Sequence, residues 1–539
     1  VPLRVDDDLI WVVAPRRLAS HRLCGLLDDY PDTRPRLRLA SAATLETFLA
    51  RQGDRALANI ASADLHQRHP MLSAAPPQGR TDMAATPQAR SLRGGPARPA
   101  VLPLIPTSRR RCWRLGSSAL PDCACWPACG RARPCHRRRE SRTQSSRPIR
   151  WWRRCIAKPT RWGPLVEALE ALDYPREKLD LILVIEPDDL ATRAALARIK
   201  RRPHLRVLIA PAVAPRTKPK ALNYALTFAR GGFIAVYDAE DRPDPDQLRA
   251  ALAAFDATGR ETACVQASLC IDNLTHSWLS RTFLAEYAGQ FDLFLPGLAA
   301  LGLPLPLGGT SNHFRTEVLR GIGGWDPHNV TEDADLGFRL ARFGHRCVTI
   351  PSTTYEEAPI AFRNWLPQRA RWMKGWIQTW EVHMRHPIRL WREIGWRGVV
   401  GLNPVVGGNV LSALAYPLLV LLAVMCAADW ADLVPVWLGG WLVPDAPSTL
   451  HWLTIASGIA STLVVGLLGL ARRRQLRHAG TLVLTPIYWL CLSMAAWRAL
   501  AHFVWCPYRW DKTEHGVARR PHPLAPKPKA RRSRWRLSA

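Results

Sequence analysis

Two long stretches of this 539-residue chain have almost no acid. From Ser108 to Cys155 the only carboxylates are Asp122 and Glu140, and from Arg519 to the end there are none. Lys and Arg number 74 against 44 Asp and Glu, a net charge of +30, which suggests nucleic acid or an anionic membrane surface as partner. A nucleic-acid motif of interleaved aromatic and basic residues is lacking, so the basic tail is read as the cytoplasmic flank of membrane helices, with no nucleic-acid partner. The 13 cysteines include no paired C-x2-C. Six of them (Cys112, Cys123, Cys125, Cys129, Cys135 and Cys155) crowd the Arg-rich stretch at irregular spacings, which argues against a zinc site and more strongly against a disulfide framework. A signal peptide is not expected either, because Asp6, Asp7 and Asp8 stand near the start.

Residues 1–75 also lack a catalytic constellation. They read as a small α/β interaction or regulatory domain, with strands at 9–13 and 36–40 and helices at 42–51 and 56–68. Residues 76–162 show neither helical nor strand period. One reading is a disordered basic linker. The other is a shifted reading frame, favoured because Trp and Cys abound there. Codons built from the third base of one codon and the first two of the next turn Trp151-Trp152 into Val, Trp162-Gly163 into Gly, and Cys155-Ile156 into Tyr or His. Permitted choices over 149–163 spell T-V-V-A-P-L-Y-R-E-A-D-A-L-G, an apolar strand and loop that run into Pro164. The stretch upstream would then hide one or two membrane helices.

What is present begins at 163. Residues 163–396 alternate helix (165–172), strand (179–185), strand (206–209), helix (220–229) and strand (233–237), which predicts an α/β fold, a mostly parallel sheet with helices on both faces. Ligands in such sheets bind beyond the carboxyl ends of strands, where Glu186, Asp188 and Asp238 to Asp241 fall. Residues 397–510 form a transmembrane region, with apolar segments at 398–428, 450–470 and 481–505, near or above the ~20 residues that span a bilayer. The loop 428–449 carries Asp429, Asp432 and Asp445 and no Lys or Arg, whereas 471–478 is basic. The positive-inside rule therefore puts 471–478 and the catalytic domain in the cytoplasm. Residues 511–539 are a basic tail.

Three motifs carry the chemistry. Asp238 and Glu240 follow a strand one residue apart and can hold Mg2+ or Mn2+ through a substrate's phosphates, with Asp241 nearby. A strand-end Asx turn is the plainer alternative. Asp333 follows Thr331 and Glu332 at a helix start, where a carboxylate can take a proton from an attacking hydroxyl or merely cap the helix. Residues 362–380 read as an amphipathic helix in which Trp372, Trp376 and Trp380 repeat every four residues. Arg371 there can pair with a diphosphate, while Trp376 and Trp380 suit a membrane interface.

With Gly308-Gly309-Thr310-Ser311-Asn312-His313-Phe314-Arg315, Thr217-Lys218-Pro219-Lys220 and Gln368…Arg371-Trp372, these motifs resemble membrane-embedded family 2 glycosyltransferases of the cellulose-synthase-like group, over about residues 164–516. The resemblance implies a GT-A fold, a UDP-sugar donor such as UDP-glucose, a divalent metal, inversion, and a growing polysaccharide as glycan acceptor. It further implies Asp333 as base and Asp238 and Glu240 as metal ligands. Lys218, Gln368, Arg371 and Trp372 would hold the diphosphate, with Glu186 and Asp188 near the uridine. Thr310, Ser311, Asn312, Glu332 and Trp372 would face the acceptor. Membrane lipid and export or regulatory proteins are the further partners, and a bacterial-type inner membrane is the location. The sequence departs at Glu240, where the family usually has Asp, and in lacking a recognisable first strand. The alternative is a non-catalytic or damaged descendant serving as a membrane interaction protein.

Overall fold

The structure is a computed structural model, which describes residues 2–5, 8–14, 18–41, 44, 48, 54–76, 149–155, 168–197, 204–274, 277–430 and 448–507. The expectations for 76–148, 156–167, the loop 431–447 and the tail from 508 lie outside these residues, as does nearly all of the helix expected at 42–51.

Strands β1 (Pro2–Val5), β2 (Asp8–Val13) and β3 (Leu37–Leu39) form a three-stranded sheet, with helix α1 (Leu18–Asp29) between β2 and β3. Sequence reading missed α1, whose apolar residues are interrupted by His21, Arg22 and Gly25. Helix α2 (Asp54–Arg68) follows, but it packs on the large domain.

The large domain is built on an eight-stranded sheet. In chain order its strands are β4 (Ile149–Cys155), β5 (Leu179–Ile185), β6 (Leu205–Ile209), β7 (Phe233–Val236), β8 (Arg242–Pro243), β9 (Thr262–Ile271), β10 (Asn312–Arg315) and β11 (Arg346–Glu356). Their order across the sheet is β6-β5-β4-β7-β10-β9-β11-β8. The run β6-β5-β4-β7 is parallel, but β10 is antiparallel to both β7 and β9, and β8 to β11. The sheet is therefore mixed and not purely parallel: six strands run one way, in keeping with a mostly parallel sheet, and β10 and β8 run against them. A four-residue strand such as Asn312–Arg315 carries no directional signal, so sequence alone could not reveal the reversal.

Continuous burial explains the central strands: all four residues of β7 and all ten of β9 are buried, as strands covered on both faces require. One apolar core lies against helices α3 (Lys218–Thr227) and α5 (Trp278–Gly289) and continues into Leu470, Leu482 and Tyr488 of the C-terminal helices. A second core, on the other face, packs Leu248, Ala251 and Phe255 of α4 (Gln247–Thr258) on β5 and β7. Helices α6 (Glu332–Arg342) and α7 (Phe362–Met384) complete the domain.

Three apolar stretches, Pro387–Met425, Trp452–Arg472 and Leu476–Trp505, are long enough to cross a membrane. They overlap α8 (Asn409–Trp430) and α9 (Ser448–Arg472) and contain α10 (Thr485–Trp505), the last preceded by a 3-10 turn at Leu476–Leu484. Helix α9 meets α5 through glycines: a Cβ on Gly469 would lie 2.7 Å from the Gly289 nitrogen, and one on Gly289 would lie 2.9 Å from Val465. Small residues thus bring a membrane helix against the catalytic domain. The basic loop after α9 also grips that domain, Arg473 pairing with Asp292 and donating to the Leu269 carbonyl at 2.8 Å.

Candidate active site

The acidic motif begins where β7 ends, as the sequence reading expected. Lys218, in the first turn of α3, donates to Asp238 at 2.8 Å and to the Gly309 carbonyl at 2.6 Å. The Asp238 charge is the largest influence raising the ammonium above its usual range, against the opposing cost of burial. Asp241 turns back on its own motif, accepting from the Asp238 backbone N–H at 2.5 Å and from the Thr310 hydroxyl.

Asp333 comes to the same point from α6. A Cβ on Gly309 would sit 2.9 Å from the Asp333 Oδ2 and 3.8 Å from the Lys218 Nζ. A side chain at 309 would crowd the Asp333 carboxylate, while Lys218 stands at ordinary contact distance. Burial raises the Asp333 carboxyl, with the Lys218 charge acting against it. Glu332 is pushed up to about 8 by burial and then by the Asp333 charge. The pair therefore tends to retain a proton.

Helix α7 closes the site. A Cβ on Gly375 would lie 2.4 Å from the Thr331 Oγ1, so α7 packs without clearance on the start of α6. Trp372 lines a cavity of about 950 Å³, with Gly308, Gly309, Thr331 and Asp333 at one end. The other end runs between the membrane helices, past Leu414, Leu418, Ile455, Val465 and Leu492. Of the expected acceptor residues, Thr310, Ser311, Asn312 and Glu332 are buried but are not part of its wall. Ser311, held in the left-handed region at φ 59°, gives its hydroxyl to Thr354 at 2.6 Å. Gln368 is buried and Arg371 half-buried on α7. Glu186 is buried 3.9 Å from Lys220, beyond β5, whereas Asp188 is exposed and paired with Arg216 at 3.0 Å.

Sequence reading missed the group that ties α7 to the membrane helices. Arg369 makes two bonds to Glu286 (2.7 and 2.6 Å) and lies over the rings of Phe283 and Trp372, while the Tyr488 hydroxyl donates to Glu286 at 2.7 Å. Glu286, the one acid of α5, stands in the apolar stretch Phe283-Leu284-Ala285-Glu286-Tyr287-Ala288, and that was the available signal. Glu356 was also missed: it is half-buried, and its carboxyl is raised well above the usual range by desolvation and then by Asp241. Trp376 lines the cavity, and Trp380 donates to Asn403 at 3.0 Å, locking α7 to the helix junction as well as standing partly exposed.

Among the described residues no group of three or more His, Cys, Asp or Glu is gathered to hold a metal. Asp238 and Glu240 nevertheless fit a hard divalent cation that takes its remaining oxygens from a diphosphate, because Asp238 is partly exposed and already faces a cation, Lys218.

An α/β domain with an acidic strand end, a half-buried carboxylate at a helix start and membrane-length helices is the arrangement of a GT-A-fold glycosyltransferase. Residues 233–511 match the family described as Glycosyl transferase family group 2, and the chain belongs to that family. It is 29% identical over 223 residues to a beta-monoglucosyldiacylglycerol synthase of Trichormus variabilis, covering 40% of this chain and 47% of that one. It is 23% identical over 226 residues to the probable glycosyltransferase YdaM of Bacillus subtilis, covering 39% and 50% respectively. The chain thus spans about half the length of these curated relatives. The mannosyltransferase PcManGT of Pyrobaculum calidifontis, solved with GDP-Man and Mn2+, aligns over 67% of this chain and 88% of its own, with 17% identity and a TM-score of 0.44.

Proposed function

We propose that the chain transfers a hexosyl group from a nucleoside diphosphate sugar, UDP-glucose or a close analogue, to an acceptor hydroxyl at the membrane interface, with inversion. The observation that carries this reading is the convergence of Lys218 and Asp333 on Gly309, with Asp238 paired to that lysine. The acceptor oxygen attacks the anomeric carbon, Asp333 takes its proton, and the bond to the diphosphate breaks. Lys218 offsets the charge that develops on the leaving group. A divalent cation held by Asp238 and Glu240 would supply further neutralisation. Gln368, Arg371 and Trp372 would hold the diphosphate and orient the acceptor, while Glu186 and Asp188 would stand toward the nucleoside.

Two acceptors fit this site. Extension of a growing polysaccharide is the reading that the motifs suggest. Transfer to a lipid hydroxyl is the second, favoured by the aliphatic lining of the cavity beyond Trp372 and in line with the relative that bears a diacylglycerol name. Incubating membranes that contain the chain with radiolabelled UDP-glucose, followed by organic extraction, separates them. Label in the organic phase supports the lipid, label in a high-mass aqueous product supports the polymer, and release of UDP with neither leaves water as acceptor and contradicts both. The catalytic domain and the loop 471–478 would face the cytoplasm, on one side of the membrane, in keeping with the grip of Arg473 on Asp292.

A further inference from the structure

The N-terminal region divides at its middle. Its first part leaves Trp11 and Leu39 of the three-stranded sheet and Tyr30 after α1 exposed, but residues 54–76 are built into the transferase domain. Ala61 of α2 is fully buried against Tyr224 and Phe228 of α3, with Leu57 beside them. Asn223 on α3 donates to the Ala61 carbonyl at 3.2 Å and to the Trp325 carbonyl at 2.7 Å, and accepts from the Trp325 N–H at 2.9 Å. The next residue, Asp326, is fully buried. Its carboxylate accepts from the Ala74 N–H at 2.6 Å, the Ser73 hydroxyl at 3.2 Å and the His328 N–H at 3.0 Å. Two of these three donors therefore come from a segment about 250 residues away in sequence.

The loop 323–330 that carries Asp326 leads directly into Thr331, Glu332 and Asp333. It is tied to both of the other walls of the site. Thr217, the residue before Lys218, donates to the Pro327 carbonyl at 3.0 Å. Gln378 of α7 accepts from the Val330 N–H at 3.1 Å, and Thr379 accepts from the Asn329 amide at 3.0 Å. Arg385, just past α7, reaches the Ser73 carbonyl at 2.9 Å. The segment 54–76 thus touches the helix of Lys218, the loop of Asp333 and the end of the helix that bears Gln368, Arg371 and Trp372.

We infer that residues 54–76 are a clamp that fixes the spacing between Lys218 and Asp333, and that Asp326 is the positioning residue through which the clamp acts. If the segment leaves, the Asp326 carboxylate loses two of its three donors while still inside the protein. Such a group does not stay where it is without partners. The loop then moves and takes Asp333 with it. A displacement of the order of 1 Å at a reacting group costs up to about a hundredfold in rate. The inference rests on the transferase reading, since its readout is turnover.

The test uses the full chain in membranes and follows nucleotide release from the sugar donor. Asp326→Asn removes the charge, and Ala74→Pro removes the N–H on the clamp side. Each is expected to lower kcat about tenfold with the donor KM within about twofold, and the double variant to lose no more than either alone, because both break one contact. Loss of folded protein alone would change the amount of active enzyme and leave the pH profile of the rest unchanged. A displaced base moves the acid limb of that profile. Arg385→Met, at a partly exposed position, is the milder variant, expected to lower kcat about threefold. Tyr30→Ala in the three-stranded unit should change nothing. Full kcat in Ala74→Pro, in Asp326→Asn or in Arg385→Met, alongside a dead Asp333→Asn enzyme, would overturn the clamp. Unchanged release in Asp333→Asn would instead sink the transferase reading itself.

Discussion

The sheet has two halves that differ in how well sequence and structure agree. On the side of β10, β9 and β11, several motif residues have partners that fix their place. Lys218 meets Asp238, Asp333 meets Gly309, α7 presses on Thr331, and Arg369 is held by Glu286 and aromatic rings. On the side of β4, β5 and β6 the central strand reads Ile-Arg-Trp-Trp-Arg-Arg-Cys, yet its backbone pairs in parallel with β5 along its whole length and with β7 at its first four residues. Three arginines in seven residues are foreign to a strand flanked on both sides by parallel neighbours, where apolar runs are the rule. The comparison separates the side where Lys218, Asp238 and Asp333 converge, which we propose serves the leaving group and base, from the nucleoside side, whose first strand we propose is translated out of frame.

The largest effect should come from breaking the intact half. Lys218→Met, measured by nucleotide release, is expected to lower kcat by about 10² or more, because it removes the half-buried cation proposed to offset the charge on the leaving group. Gly309→Ala is expected to cost about tenfold to a hundredfold in kcat, since the added methyl meets the Asp333 carboxylate at 2.9 Å. Asp188→Ala, on the nucleoside side, should leave kcat within about twofold, because that carboxylate is exposed and its pairing with Arg216 is screened. Replacing 149–163 by T-V-V-A-P-L-Y-R-E-A-D-A-L-G should lower the donor KM and leave the kcat losses of the first two variants as they are. The gene sequence checks the premise: codons over 149–163 that hold no such strand in another frame would remove it.

The acid dependence sharpens the same contrast. Asp333 must be ionised to act, and burial raises its carboxyl, so kcat should climb with pH along a limb above the ordinary carboxylate range. Stability should run the other way. Glu332 holds its proton in the folded state up to about pH 8, while the unfolded chain releases it near 4.5. The folded state then binds more protons between these values, and stability falls as pH rises across that window. A thermal-unfolding series in pH, compared with Glu332→Gln, should show the slope in the parent and a flatter one in the variant.

Much of this was legible in the chain. The continuous apolar runs gave β5 and β7 to within a residue, and the motif order put Asp238 at a strand end and Asp333 at a helix start. The three membrane-length segments were also visible. Other features depend on contacts that no local pattern encodes. The reversal of β10 is set by its neighbours β7 and β9, and four residues carry no sign of direction. Gly309 and Gly375 read as ordinary glycines until the Asp333 and Thr331 side chains lie against them. Helix α2 was legible as a helix, but not its docking surface: Ala58, Ala61, Ser62 and Leu65 are buried at helical spacing, and small side chains in such a stripe do not say which element covers them.

The account turns on Asp333 as the base of a nucleotide-sugar transferase. Membranes containing the chain, given UDP-glucose and Mg2+ or Mn2+, should release UDP, and the Asp333→Asn chain at equal abundance should lose that release by about 10² or more. Equal release from both chains, or none from the parent with any nucleotide sugar, would contradict it.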